Sequence, residues 1–150
     1  MPQITIRKAE SIDASALQAL YREFVSNPAI SVFPERVAEV AQDQNTALFL
    51  GEIDGLVIGT ILVSLCLDVM FQNQPFAVVE NLVVNSACRG MGVGTALLCE
   101  VERFCQKANC SKIMLLSSVE RIESHRFFEK VGFAGSVKKG FIKYRRQFIV

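Results

Sequence analysis

Apolar and polar positions along the chain follow two periods, two and about 3.6 residues, and their order sketches a sheet flanked by helices. Gln3-Ile4-Thr5-Ile6-Arg7 alternates as a half-buried strand does, and Ser11-Ile12-Asp13 then reads as a helix start. Ala16, Leu17, Leu20, Tyr21, Phe24 and Val25 line one helical face, which Asn27-Pro28 ends. A second short helix is predicted over Pro34–Gln42 with Val37, Ala38 and Val40 inward. Ala47–Leu50 and Leu56–Ile58 flank Asp54-Gly55, whose tolerance of positive φ suits a tight hairpin. After a loop over Asp68–Pro75, Phe76–Val84 reads as a buried strand interrupted by Glu80 and Asn81. Val93–Ala108 has helical spacing, Lys112–Leu116 gives another strand, Arg121–Val131 a helix capped by Gly132, and Phe141–Val150 a final strand. A strand, helix, strand series requires a crossover, so one parallel pair is expected inside an otherwise antiparallel sheet. The expected class is mixed α/β, with about four helices on a mostly antiparallel, twisted sheet.

Composition narrows the class of molecule. At 150 residues with 51% hydrophobic and 21% charged, the chain can bury one core, and a single domain over 1–150 is expected. Disordered and collagenous chains are excluded. A formal charge of +1 gives no electrostatic footprint for nucleic acid. The longest apolar stretch, Leu56–Leu67, is short and broken by Gly59, Thr60 and Ser64, so no membrane partner is expected. The first residues lack the pattern of a signal peptide, and a cytoplasmic location is expected. Five cysteines (66, 88, 99, 105, 110) form no C-x-x-C pair, and His125 is the single histidine. No metal site is therefore expected, and the cysteines read as small buried hydrophobes, three of them in one helical stretch.

Candidate chemistry concentrates where the Phe76–Val84 strand passes into the Val93–Ala108 helix. Gly90, Gly92 and Gly94 occupy alternate positions in Arg89-Gly90-Met91-Gly92-Val93-Gly94-Thr95. Glycines admit close backbone approach, and the unpaired amides of a first helical turn attract an anion such as pyrophosphate. The same glycines would also serve a tight turn with close helix packing. Thr95 follows Gly94 directly where a P-loop needs lysine, and it stands where a dinucleotide fingerprint needs its third glycine.

Arg89-x-x-Gly92-x-Gly94, following Leu82-Val83-Val84, resembles the Q/R-x-x-G-x-G/A signature of the GNAT N-acetyltransferase superfamily. Ser124-His-Arg-Phe-Phe-Glu-Lys-Val-Gly-Phe133 is similar to that family's second signature, and the likeness covers nearly the whole chain. The resemblance implies acetyl-CoA as cosubstrate, lying where two parallel strands splay apart. It implies that the amides of Arg89, Gly90, Met91, Gly92, Val93, Gly94 and Thr95 cradle the pyrophosphate, with the Arg89 side chain as a further phosphate contact. Leu82, Val83 and Val84 would pair through their backbone with the pantetheine arm like an added strand.

The implied reaction moves an acetyl group from a thioester to an amine, which must first lose a proton because an alkylammonium of pKa about 10 is not a nucleophile. Glu80, an acid within the run Val78–Val84, is the candidate base, since a carboxylate is costly to bury unless it is paired or used. On a regular strand Glu80 and Asn81 face opposite ways, and Glu80 is assigned to the cleft. The family's second signature usually has tyrosine where this chain has Phe128, a further cofactor-binding position by resemblance, which cannot protonate the leaving thiolate. Water, Ser124 or His125 would serve instead. The expected activity is acetyl-CoA-dependent N-acetylation of a small primary amine; the alternatives are acetylation of a protein N-terminus or lysine, and a non-catalytic acyl-CoA-binding module. Substrate choice is expected in the Tyr21–Glu35 segment and the Asp68–Pro75 loop. The Phe141–Val150 strand is a candidate homodimer edge, blunted by Lys143, Arg145 and Arg146.

Overall fold

A computed structural model describes residues 2–149, which fall into two units, one ending at Leu115 and one beginning at Leu116. In the first unit the order is β1 (Ile4–Lys8), α1 (Ala14–Phe24), α2 (Pro34–Gln42), β2 (Thr46–Ile53), β3 (Leu56–Cys66), β4 (Phe76–Val84), α3 (Val93–Lys107) and β5 (Ile113–Leu115). The second unit contains α4 (Ile122–Lys130) and a 3-10 turn over Arg145–Gln147. The five strands lie in sequence order, antiparallel from β1 to β4 and parallel between β4 and β5. The mixed sheet with one parallel pair thus follows the expectation from the crossover.

Asp54 and Gly55 join β2 to β3 with φ of 51° and 77°, the two left-handed residues that match a hairpin turn to the twist of its strands. Strand alternation then sends side chains to two covers. On one face Phe49, Ile61 and Val63 meet α3, whose Val93, Leu97, Leu98, Val101 and Cys105 are buried, and Phe49 meets Phe104 edge-on at 6.1 Å. On the other, Leu48 and Leu50 cluster with Ala14 and Leu17 of α1 and Val37 of α2, with Tyr21 and Leu62 packed against them. Fully burying residues such as Leu17 or Leu97 contributes about 2 kcal/mol each. Ala38, expected inward, is exposed; only Val37 of α2 is fully buried, because a helix of nine residues turns a narrow stripe to the sheet.

An ion network fixes the entry to α1. Arg7 donates to both carboxylate oxygens of Asp13 at 2.8 Å and also pairs with Glu52, while the Glu10 amide donates to Asp13 at 2.7 Å. These donors, Arg7 first, hold the buried Asp13 carboxyl below its ordinary range.

The expected strand over Phe141–Val150 is not formed. Among residues 141–149 the only regular element is the 3-10 turn, and Val150 lies outside the described residues. Alternation alone makes no strand, because ladder hydrogen bonds come from a partner. Here the bonds close locally instead: Gln147 N–H donates to Tyr144 O at 2.8 Å, and Tyr144 N–H to Gln147 Oε1 at 3.0 Å.

The cysteine reading holds for one residue. Cys105 is buried, Cys66, Cys88 and Cys110 are half-buried, and Cys99 is exposed. Cys110 lies past the end of α3, where its amide donates to Cys105 O at 2.9 Å and Asn109 takes φ of 59°, a Schellman closure.

Candidate active site

The glycine turn forms where the sequence put it. Gly90 and Gly92 have φ of 79° and 87°, and Gly92 is the N-cap of α3. The first cap bond runs from Ala96 N–H to Gly92 O at 3.0 Å. The amides of Val93, Gly94 and Thr95, ahead of it, have no carbonyl four residues back within the helix and aim out of its positive end. The close-packing role of glycine falls elsewhere. A Cβ on Gly90 or Gly92 would meet nothing within 4 Å, whereas on Gly59 of β3 it would approach Val93 Cγ1 at 2.9 Å. Gly59 thus seats the N-terminus of α3 against the sheet, and Gly90 and Gly92 shape the turn.

Beside the turn, β4 presents a free edge. It pairs with β5 only at Ala77–Ile113, Val78–Met114 and Val79–Leu115, so beyond Val79 the 80–84 segment has no strand partner on that side among the described residues. Main-chain groups of Leu82, Val83 and Val84 are thereby open to pairing by an extended ligand, as in strand addition.

The premise of a regular strand at Glu80 and Asn81 does not hold. Thr60 pairs with Val83 and Leu62 with Glu80, so the single residue Ile61 opposes both Asn81 and Leu82. This is a β-bulge, with Asn81 in the left-handed region at φ 56°. Both Glu80 and Asn81 are exposed, so Glu80 is no buried carboxylate. Directly paired residues share a face, which puts Glu80, Leu62, Val83 and Thr60 on the side covered by α1 and α2.

That side holds a cavity of about 300 Å³ lined by α1, the 31–33 segment, α2, β2 and β3, with Tyr21 and Leu62 among its walls. Tyr21, in the apolar stripe and at the start of the segment expected to choose the substrate, thus lines a cavity. Its phenol is pushed above its ordinary value by burial, which the neighbouring Thr60 side chain partly offsets. Thr60, fully buried, itself donates to Phe49 O at 2.9 Å. Glu23 on the same helix accepts from Ser86 N–H at 2.7 Å, and the Ser86 side chain first, then this amide and a smaller attraction from Arg89, hold its carboxyl below its ordinary range. Glu23 therefore ties the end of α1 to the residues entering the glycine turn. No group of three or more His, Cys, Asp and Glu among the described residues is arranged to hold a metal.

In the second unit, Phe128 closes the C-terminus of α4. Phe133 N–H donates to Phe128 O at 2.9 Å, Gly132 takes φ of 105°, and the Phe128 and Phe133 rings meet edge-on at 5.9 Å. This is a Schellman motif with its apolar clasp. His125 Nε2–H donates to Ser118 O at 2.8 Å, so one ring nitrogen is committed to the backbone.

The acetyltransferase (GNAT) family model matches residues 15–133. An uncharacterized N-acetyltransferase of Methanocaldococcus jannaschii is 31% identical over 130 residues, covering 85% of this chain and 76% of that protein. The aminoalkylphosphonate N-acetyltransferase of Salmonella typhimurium is 26% identical, covering 91% and 88%. In fold, the glucosamine-6-phosphate N-acetyltransferase structure from Arabidopsis thaliana superposes with a TM-score of 0.83 at 22% identity, covering 95% of this chain and 99% of that one. With a glycine turn opening α3 and a free β4 edge beside it, the chain belongs to the GNAT family and is an acetyl-CoA-dependent N-acetyltransferase.

Proposed function

We propose that the chain acetylates a primary amine of a small molecule, with Glu80 as the base and the amides of residues 89–95 holding the pyrophosphate of the donor. The observation that carries this reading is a coincidence in β4: its free edge from Glu80 to Val84 and the Glu80 carboxylate occupy one bulged segment. Bound acetyl-CoA supplies an activated acetyl group as a thioester. Glu80, through water, takes the proton that the ammonium must lose before nitrogen can attack. The C–N bond forms as the C–S bond breaks, and the thiolate, of pKa about 8.5 as a free thiol, leaves and takes its proton from solvent. A free amide on the β4 edge would stabilise the charge that gathers on the carbonyl oxygen. Phe128 has no proton to give, and this route asks none of it.

Calorimetric titration with acetyl-CoA, CoA, NAD and ATP, followed by product detection with a panel of amines, tests the reading. Stoichiometric binding selective for CoA species is expected. Glu80→Gln should lower kcat by about 10²- to 10⁴-fold and leave the affinity for acetyl-CoA unchanged. Absence of CoA-selective binding would refute the donor site, and an undiminished rate would remove Glu80 from the mechanism.

A further inference from the structure

Resting on that reading, we infer that the acceptor is a compact monoamine with an uncharged apolar body, and that the cavity between α1, α2 and the sheet receives this body. The cavity meets the reacting segment through β3. Leu62 in its wall is the cross-strand partner of Glu80, and Tyr21, also in its wall, packs with Leu62 against the same core cluster on that face of the sheet. Cross-strand partners are about 5 Å apart at Cα, so a body held there leaves its amine one strand's width from the Glu80 segment.

Size and charge select the occupant. A volume of about 300 Å³ lies at the small end of the roughly 300–1,000 Å³ typical of small-molecule sites. That suits a short alkyl chain or a single ring as the inserted body. The walls include Leu17, Val37, Val40, Leu48 and Leu62, with no carboxylate among the lining residues. Their single charged group is the guanidinium of Arg36, engaged with Glu39 at 2.8 Å. A second ammonium within the cavity would lose its water with no carboxylate in the lining to pair with, so polyamines and aminoglycosides are disfavoured. Phe33, 63% exposed, extends the apolar surface to the rim.

The test compares hexylamine and benzylamine with spermidine and kanamycin at saturating acetyl-CoA. Hexylamine and benzylamine should show kcat/KM about tenfold or more above the two polycations. Ser31→Trp, on the exposed segment lining the cavity, should raise the hexylamine KM about tenfold, with acetyl-CoA affinity and thermal midpoint unchanged. Hexylamine binding followed by NMR without acetyl-CoA, in wild type and Ser31→Trp, reads the cavity independently of turnover. Preference for spermidine or kanamycin, or hexylamine binding indifferent to Ser31→Trp, overturns the inference. Ser31-sensitive binding without acetylation of any amine would uphold the cavity assignment and refute the proposed chemistry, so the two fail separately.

Discussion

Gly59 is where β3 admits α3 most closely, and Gly59→Ala therefore links a single methyl group to acetyl-CoA affinity. The new Cβ would stand 2.9 Å from Val93 Cγ1, 3.2 Å from Leu97 Cδ1 and 3.2 Å from the Val83 carbonyl oxygen. Val93 and Leu97 are 1% and 0% exposed, so neither side chain has free space to retreat into. The Val83 contact is main chain and cannot yield by a rotamer change. Overpacking of this kind costs about 1–3 kcal/mol, against about 0.4–1 kcal/mol gained by restricting the unfolded chain. The net loss, about 1–2 kcal/mol, should lower Tm by roughly 2–8 °C for a chain of this size. Because Val93 opens α3 next to Gly92, relief by lifting the helix would also displace the glycine turn, and the Kd for acetyl-CoA should rise several-fold. Gly51→Ala is the control: its Cβ would come no nearer than 3.2 Å, to the side chain of Val93, and its effect should be smaller. Differential scanning calorimetry and acetyl-CoA titration of both variants check the ordering. An unchanged Tm and Kd in Gly59→Ala would refute the claim that this glycine seats the turn-bearing helix.

Two further outcomes follow from the ion network and the thiols. The Asp13 carboxyl is held low by Arg7, so its contribution is fully present above the ordinary carboxylate range and is lost as pH falls through the lowered folded value. Asp13→Asn should therefore lower stability at pH 7 by about 1–2 kcal/mol, allowing for the partial exposure of Arg7. Denaturant titrations across pH should show wild type and variant converging in acid; a constant difference would refute the assignment. Burial pushes the Cys105 thiol up to about 12, with Cys110 beside it also raised by burial, while Cys99 is exposed on α3. A thiol reagent at pH 8 should label Cys99 first and leave Cys105 unmodified in the native protein, as peptide mapping would show.

Local and periodic features were legible in the amino-acid order. The Asp54-Gly55 turn, the limits of β4, the glycine turn and the Gly132 cap each depend on the conformational freedom of one or two residues or on a short apolar run. Such features are written in neighbouring residues, so they survive without knowledge of partners. The crossover between β4 and β5 was legible too, since connection length restricts strand direction. Alternation over Phe141–Ile149 misled because an apolar and basic alternation specifies a face and supplies no ladder partner. The bulge at Asn81 left one trace in the sequence, an asparagine tolerant of positive φ inside a β run, but its register depends on β3. Tyr21 was visible in the apolar stripe and at the start of the substrate-choosing segment, and Glu23 carried no signal in the sequence. Only the docking of α1 brings the first to the cavity wall and the second to Ser86. The sequence by itself determined most of the elements and the glycine turn, and its family signatures the class of donor. Tertiary structure alone decided which way Glu80 faces, what shares its side of the sheet, and how much room the cavity on that side offers, because those are relations between residues far apart in the chain.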